Sequence, residues 1–433
     1  MTLPTSTSQP PRNFSALYLV TATAAMGYGF VVSLLAEFRD EYGFSGLGLG
    51  ILAGAGFFSG FFANVWLARY ADKGWSREMI RIGLAMGLIA SIWMAASSDI
   101  FQFVAARVLV GLGAGLCGPP IRKIIIARNP GDMGRKLGVV SAFDIGGFIA
   151  GPLIATTIAN FFGLKLPFVV LAAAFGAMLL LIWREDLTCP VVDSSKTQHK
   201  ISANSDGLDS DDPDGPDSDD PDSDDISSGT ATKKPRGNIR QLLAIPGIQG
   251  AIAAGVAFYA SIGVFEVSWA LLLDDNGAPT WLVGPAFSLF TIPMMVFAPI
   301  GGRVTHKHGA LKVIVWSVAV ALVCVVAYGW VDHLWILLAI SGVHAIADAF
   351  TLPGLQVAMA TSSPEEYVAS SQGLLGATGL AVAGAIASVG GPIYAYGGAE
   401  MLYSLAGVIM ITSLLFAIYR SLDPTMRFAT GRH

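Results

Sequence analysis

The chain has 433 residues, of which 53% are hydrophobic and only 13% are charged, and its mean hydropathy is +0.60. Soluble domains usually carry roughly 25% charged residues, so this composition excludes an ordinary soluble protein and indicates one embedded in a lipid bilayer. The formal net charge of −5 comes from one acidic stretch, residues 206–225, without which the chain would be net positive.

The chain begins with a polar, proline-containing tail, residues 1–13, which lacks the charged-then-apolar pattern of a signal peptide. Twelve apolar runs follow. A membrane-spanning helix needs about 20 mostly apolar residues, and because these runs are continuous and not alternating, they predict helices and not a barrel. The twelve predicted spans are 14–36, 46–68, 80–98, 100–126, 137–160, 163–183, 247–272, 279–301, 311–331, 333–358, 370–395 and 399–420.

Lysine and arginine predict the orientation of these spans. All but Arg39, Arg107 and Lys165 of the 26 basic residues fall in the two tails or in the loops that follow the even-numbered spans. Cytoplasmic loops carry the excess of Lys and Arg. We therefore expect a multi-pass protein of the plasma (inner) membrane with both termini in the cytoplasm.

The loops after spans 2 and 8 carry related patterns, ARYADKGWSR over residues 68–77 and GRVTHKHG over residues 302–309. A carboxylate at a helix end near cations can make charge-assisted contacts that exist in only one conformation. The loops therefore predict such conformation-dependent contacts, which we call the latch, the alternative being basic loops that serve only topology. The candidate latch residues are Asp72, Lys73, Arg77, Gly302, His306, Lys307 and Gly309.

Span 4 contains Arg107, followed by glycines at every second position, Gly111, Gly113 and Gly115. An arginine inside a span is costly and is by default a functional candidate, although it lies about two turns from the outer end of the span and could instead snorkel to the interface. The three glycines predict a groove for a neighbouring helix.

Span 5 carries Gly147, Gly151 and Pro152 in the run GFIAGPLIA, residues 147–155. This spacing gives a face of small residues together with a proline bend, which suits close helix contact. A generic packing face is the alternative to a functional motif.

Four more ionisable residues lie within spans: Asp144, Glu266, His344 and Asp348. His344 and Asp348 are four residues apart and share one helical face, so the pair could load and release a proton; a packing hydrogen bond is the alternative. Glu266 stands among aromatic residues, which suits an amphipathic cation, unless it lies at the wet outer mouth. With Arg107, these residues are candidates for proton coupling or for the substrate cavity.

The twelve spans divide into two halves, 14–183 and 247–420, separated by a predicted disordered, acidic cytoplasmic linker at 184–246 and followed by a cytoplasmic tail at 421–433. Asp72 and His306, Pro119 and Pro353, and Pro130 and Pro364 are each separated by the same 234 positions. A common offset across different spans predicts a parallel repeat, with the substrate site between the halves.

Together, these features resemble the major facilitator superfamily. That family carries a Gly-x-Leu-Ala-Asp-Arg/Lys-x-Gly-Arg/Lys-Arg/Lys loop between spans 2 and 3, which Asp72, Lys73 and Arg77 match and from which Ala68 and Trp75 depart. The run 147–155 resembles the antiporter motif Gly-x-x-x-Gly-Pro-x-x-Gly, with Ala155 at the last glycine. The resemblance implies that the span-2 loop latches the halves, that Arg107 serves proton coupling, and that the protein is closer to drug exporters than to importers.

We therefore predict an all-α transporter with two six-helix halves around a central cavity, working by alternating access as a proton-coupled exporter of small amphipathic compounds. Its partners would be a small-molecule substrate, protons and the lipid bilayer, and it would be a monomer without cofactor, metal or nucleic acid. The first alternative is an importer of an organic anion or metabolite, with Arg107 binding the anion. The second is a non-transporting sensor or an enzyme, which the scattered histidines disfavour.

Overall fold

The computed structural model describes residues 14–185, 187 and 239–422. The predicted tails 1–13 and 421–433 and the linker 184–246 lie wholly or mostly outside these residues. In the first half, spans 1 to 6 are the helices Ser15–Ser33, Gly46–Phe62 with its continuation to Tyr70, Ser76–Ala96, Ile100–Arg128, Met133–Phe162 and Leu166–Trp183. In the second half, spans 7 to 10 are the helices Pro246–Asp275, Thr280–His308, Ala310–Tyr328 and Leu334–Ser362.

Spans 11 and 12 are the two parts of the helical segment Val368–Ser421, which a turn at Gly398 divides. Gly398 has a φ of 66° and Gly74, between spans 2 and 3, has a φ of 97°. Only glycine adopts this left-handed region without strain, so each of these residues turns the chain back into the bilayer. Across the described residues there are nine helical stretches apolar enough to cross a membrane, two of which contain such a turn, and Ser15–Val31 is a shorter apolar helix. Together they make the twelve predicted spans.

The internal repeat is visible in the helix bounds. Span 4, Ile100–Arg128, and span 10, Leu334–Ser362, are both 29 residues long and begin 234 positions apart. Span 3 starts at Ser76 and span 9 at Ala310, again 234 positions apart. The two halves therefore repeat the same succession of helices in the same direction, and each has its own apolar core.

Small residues bring the helices within each half together. The Gly111 and Gly115 backbones pack on span 2, whereas Gly113 packs on Gly83 of span 3. The predicted single groove is therefore wrong, because residues two apart on a helix face different neighbours. In span 5, a Cβ at Gly147 or Gly151 would overlap the backbone of span 1.

The halves meet at the end of the molecule that carries the loops after spans 2, 4, 8 and 10, which we call the basic end. Gly134 of span 5 and Gly302 of span 8 approach so closely that a Cβ on either would overlap the carbonyl oxygen of the other. Asn64 of span 2 packs on Gly373 and Gly376 of span 11 in the same way. The molecule is therefore closed at the basic end.

Candidate functional site

A cavity of about 580 Å³ lies between the halves, beyond their contacts at the basic end. Its volume is within the range of small-molecule sites, roughly 300–1,000 Å³. Spans 1, 2, 4 and 5 line it from the first half, and spans 7, 8, 10 and 11 line it from the second. Both halves thus form its wall, so a relative movement of the halves would change its shape and access.

Among the described residues, three that are charged line this mainly apolar cavity: Arg122, Asp144 and Glu266. Asp144 and Glu266 were predicted cavity residues. Arg122 was not predicted to line the cavity, because a cation near the end of span 4, beside Lys123, indicates only the orientation of the span in the membrane. Helical periodicity is the signal that could have distinguished Arg122 from Lys123, since consecutive residues face different sides of a helix.

Arg122 and Asp144 form a loose ion pair across spans 4 and 5. The Nη2 atom of Arg122 is 3.6 Å from Oδ2 of Asp144, and the two side chains are 15% and 40% exposed. A distance of 3.6 Å is too long for a hydrogen bond. The pair therefore leaves hydrogen-bonding capacity on both groups facing the cavity.

Glu266 lies on span 7 in an aromatic section of the wall. Its side chain is open to the cavity, whose lining there includes Tyr259, Phe265 and Phe287. Behind Phe265, the buried ring of Trp269 stacks with it at a centroid distance of 4.6 Å. A carboxylate beside aromatic faces is a chemically suitable site for an amphipathic cation.

Arg107 does not line the cavity. It is 0% exposed, and its Nη1 and Nη2 atoms donate hydrogen bonds to the carbonyl oxygens of Gly27 at 2.8 Å and Tyr28 at 3.0 Å. Its guanidinium also lies 5.7 Å and 5.9 Å from the ring centroids of Tyr28 and Phe57, which do line the cavity. Arg107 thus supports the cavity wall from behind, and snorkelling does not describe it.

His344 and Asp348 are buried inside the second half, at 0% and 1% exposure, and also do not line the cavity. His344 Nε2 lies 2.8 Å from Ser261 Oγ and 3.3 Å from Asp348 Oδ2, and its Nδ1 lies 3.1 Å from Tyr328 Oη. Phe290, a cavity residue, packs against the imidazole at a centroid distance of 5.1 Å. The pair is a buried polar cluster separated from the cavity by aromatic side chains.

Asp72 links the two halves at the basic end. Its Oδ1 accepts a hydrogen bond from the backbone N–H of Ala369 at 2.9 Å, and its Oδ2 accepts bonds from Ser370. Both residues lie in the first turn of span 11, where the helix dipole favours a negative charge. The cation beside Asp72 is Lys123 of span 4, with Nζ 3.4 Å from Oδ1.

The other candidate latch residues lie around this contact or at its counterpart. Lys73 is exposed and its Nζ lies 5.2 Å from the Tyr70 ring, while Arg77 is partly buried. In the second copy Gly302 is buried against Gly134, and His306, Lys307 and Gly309 are exposed, with Gly309 ending span 8. Sequence reasoning missed Lys123 and Ser370, because their contacts join distant parts of the chain.

The chain is 28% identical over 179 residues to the multidrug resistance protein MdtG of Yersinia enterocolitica, covering 40% of this chain and 43% of that protein. It is 27% identical over 167 residues to the quinolone resistance protein NorA of Staphylococcus aureus, covering 38% and 42% of the two chains. The matched region thus spans less than half the length of these relatives.

The fold is similar to that of the human organic anion transporter MFSD10 (TETRAN), with a TM-score of 0.69 at 15% identity, over 94% of this chain and 100% of that one. The family model of the Major Facilitator Superfamily matches residues 17–266 and 251–431. These two matches cover both six-helix halves. The chain therefore belongs to the Major Facilitator Superfamily, whose members are membrane transporters and not enzymes.

Proposed function

We propose that this transporter is a proton-coupled exporter of small amphipathic compounds that works as a monomer by alternating access. The observation that carries the proposal is the mainly apolar cavity between the halves, with Glu266 among aromatic residues in its wall. An amphipathic cation and a proton would compete for this carboxylate, and competition for one site is the simplest basis of antiport. The similarity to multidrug and quinolone resistance proteins supports the same class of substrate.

Within this proposal, the buried pair His344 and Asp348 carries or tunes the coupling proton, and Arg107 holds the cavity wall in the coupled conformation. Titratable groups buried within spans are costly and are retained at proton pathways. Asp144, paired with Arg122, is a second carboxylate that proton binding would affect. The Asp72 contact would stabilise one of the two states that substrate and proton select.

The basic end would face the cytoplasm of the cell, and the membrane would be the plasma (inner) membrane. Both termini would then be cytoplasmic, and the conformation closed at the basic end would be the outward-facing one. A single cysteine introduced in the loop between spans 4 and 5, at the exposed Gly131, should react with an impermeant maleimide only after the cells are opened. Labelling of intact cells would reverse the orientation, and the conformation closed at the basic end would then be the inward-facing one.

The coupling is tested in proteoliposomes with an imposed pH gradient and a fluorescent lipophilic amine. An antiporter should accumulate the amine when the lumen is acidic, whichever way the protein is inserted, because protons leave as substrate enters. Glu266→Gln should reduce this uptake to that of protein-free liposomes, into which the amine passes only as a neutral weak base, whereas Glu365→Gln, on an exposed residue at the basic end, should not. Uptake that depends on an acidic exterior would identify proton–substrate symport and overturn the proposal.

An importer of an organic anion or metabolite is the second candidate, and Arg122 favours it because it places a cation in the cavity wall. Arg107, the predicted anion partner, is bonded to backbone carbonyls outside the cavity and is not suited to this role. The same proteoliposome assay with a lipophilic carboxylate would decide for this candidate if uptake required an acidic exterior.

A further inference from the structure

Arg122, which pairs with Asp144, differs in its contacts from Arg107, a structural arginine in the same helix. Arg107 is fully buried and makes two hydrogen bonds of 2.8 and 3.0 Å to span 1. Arg122 lines the cavity and approaches Asp144 only to 3.6 Å. A structural Arg–carboxylate pair is usually bidentate, with N–O distances near 2.7–2.9 Å. The looser geometry indicates a cation held near, but not engaged by, its resident anion.

The surroundings of Arg122 give its side chain room on the cavity side. It extends back along its own helix over Gly118, where a Cβ would lie 2.9 Å from the Nη1 atom. Gly118 and Asp144 both line the cavity. Because Gly118 has no side chain, the guanidinium has room to turn from the basic end toward the cavity, where its planar fork would match a carboxylate.

The charges divide the cavity along its length. At a rise of about 1.5 Å per residue, Asp144 is about 17 Å along span 5 from the basic end, and Glu266 is about 30 Å along span 7. The cation is therefore at the floor of the cavity, and the carboxylate of Glu266 is about 13 Å nearer the opposite end. The intervening wall is mainly apolar.

We propose that Arg122 binds an acidic group of the substrate and that Asp144 is the resident anion which this group displaces. The substrate is then a small amphipathic molecule that carries a carboxylate, with its apolar body directed along the cavity toward Glu266. This inference rests on the proposed transport function and adds an acidic group to the amphipathic substrate proposed there. Electrostatic repulsion by Asp144 excludes a second, uncompensated anion, so the acid must replace Asp144 at Arg122 and not merely join it.

The test uses the purified full chain and two matched series: naphthalene-2-carboxylate and naphthalene-2-carboxamide, and 4-phenylbutanoate, 4-phenylbutanamide and 4-phenylbutylamine. Apparent affinity is read from the rise in unfolding temperature with ligand concentration. The acids should bind roughly tenfold more tightly than the amides, the effect expected of one charge-assisted contact. Acids and amides that bind equally would overturn the proposal.

Substitutions at Arg122 and at Asp144 should change the affinity for acids in opposite directions. Arg122→Gln should abolish the preference for acids, and Arg122→Lys should retain part of it. Asp144→Asn should strengthen acid binding several-fold without affecting the amides, because Arg122 no longer has a resident anion. The matched controls are Arg135→Gln and Asp132→Asn, which alter a partly exposed ion pair outside the cavity.

Two outcomes distinguish a failure of this proposal from a failure of the proposed transport function. If the amine binds but the acids do not exceed the amides, anion docking at Arg122 fails while transport of amphipathic cations stands. If no member of either series stabilises the protein, both fail. Should Arg122→Gln not fold, Asp144→Asn still decides, because weaker acid binding in that variant would make Asp144 a structural support for Arg122.

Discussion

The Asp72 carboxylate and Ser370 are joined by two hydrogen bonds across the two halves of the molecule. Oδ2 of Asp72 accepts one bond from the Ser370 backbone N–H at 2.8 Å and another from the Ser370 hydroxyl at 2.6 Å. The acceptor is on the loop after span 2 and the donors begin span 11, so these bonds exist only while the halves are together at the basic end. The contact therefore contributes directly to the balance between conformations.

Asp72→Asn should shift that balance toward opening at the basic end. Loss of charge-assisted hydrogen bonds costs about 1.5–3 kcal/mol, or roughly a 10- to 100-fold change in the equilibrium. Spin labels at the exposed Gly131 and Glu366 should report longer distances by double electron–electron resonance. Ser370→Ala, which keeps the backbone donor, should have a smaller effect. An unchanged distance distribution in Asp72→Asn would remove the latch role.

Gly302→Ala should oppose closure by steric overlap, not by loss of charge. A methyl group there would meet the Gly134 carbonyl oxygen, and neither backbone can move without separating spans 5 and 8. The same label pair should show a larger open population, and turnover should fall. Gly342→Ala is the matched control, because a Cβ at Gly342 has no neighbour within 4 Å. Wild-type distances in Gly302→Ala would show that the halves close differently.

Gly56→Ala should destabilise the first half by displacing Arg107. Its Cβ would lie 2.6 Å from the Arg107 Nε atom, and overpacking of this kind costs about 1–3 kcal/mol. The unfolding temperature should fall, and transport should fall with it as the bonds to span 1 are disturbed. Gly54→Ala, two residues away with open space around its Cβ, should leave both unchanged or slightly raise stability. Equal effects of the two changes would refute a supporting role for Arg107.

Asp348→Asn should separate coupling from binding. The amide is fixed in a neutral state, so substrate exchange between the two sides of proteoliposomes should persist, whereas uphill uptake driven by a pH gradient should fall to that of protein-free liposomes. His344→Ala should shift the pH profile of uptake without abolishing binding, since His344 Nε2 lies 3.3 Å from the Asp348 carboxylate. Uphill transport by Asp348→Asn at the wild-type rate would reduce Asp348 to a packing residue.

Much of the architecture was predictable because its determinants are local or repeated. The length of each apolar run predicted the twelve spans, and the offset of 234 between Pro119 and Pro353 predicted the equivalence of spans 4 and 10. The pattern around Asp72 likewise predicted a carboxylate near a helix end and cations. Its partners Lys123 and Ser370 were not predictable, since a hydrogen bond across 298 positions leaves no local pattern.

The sequence by itself determined the number of spans, their division into halves and the identity of the ionisable residues within the spans, whose burial in a membrane is costly. Only the tertiary structure decided which of these face the cavity: Asp144, Glu266 and Arg122 do, whereas Arg107, His344 and Asp348 lie behind its wall. The physical reason is that a helix in a membrane is apolar on its lipid-facing and packed sides alike. Hydrophobic periodicity therefore does not mark the inward face, and the packing of the two halves assigns it.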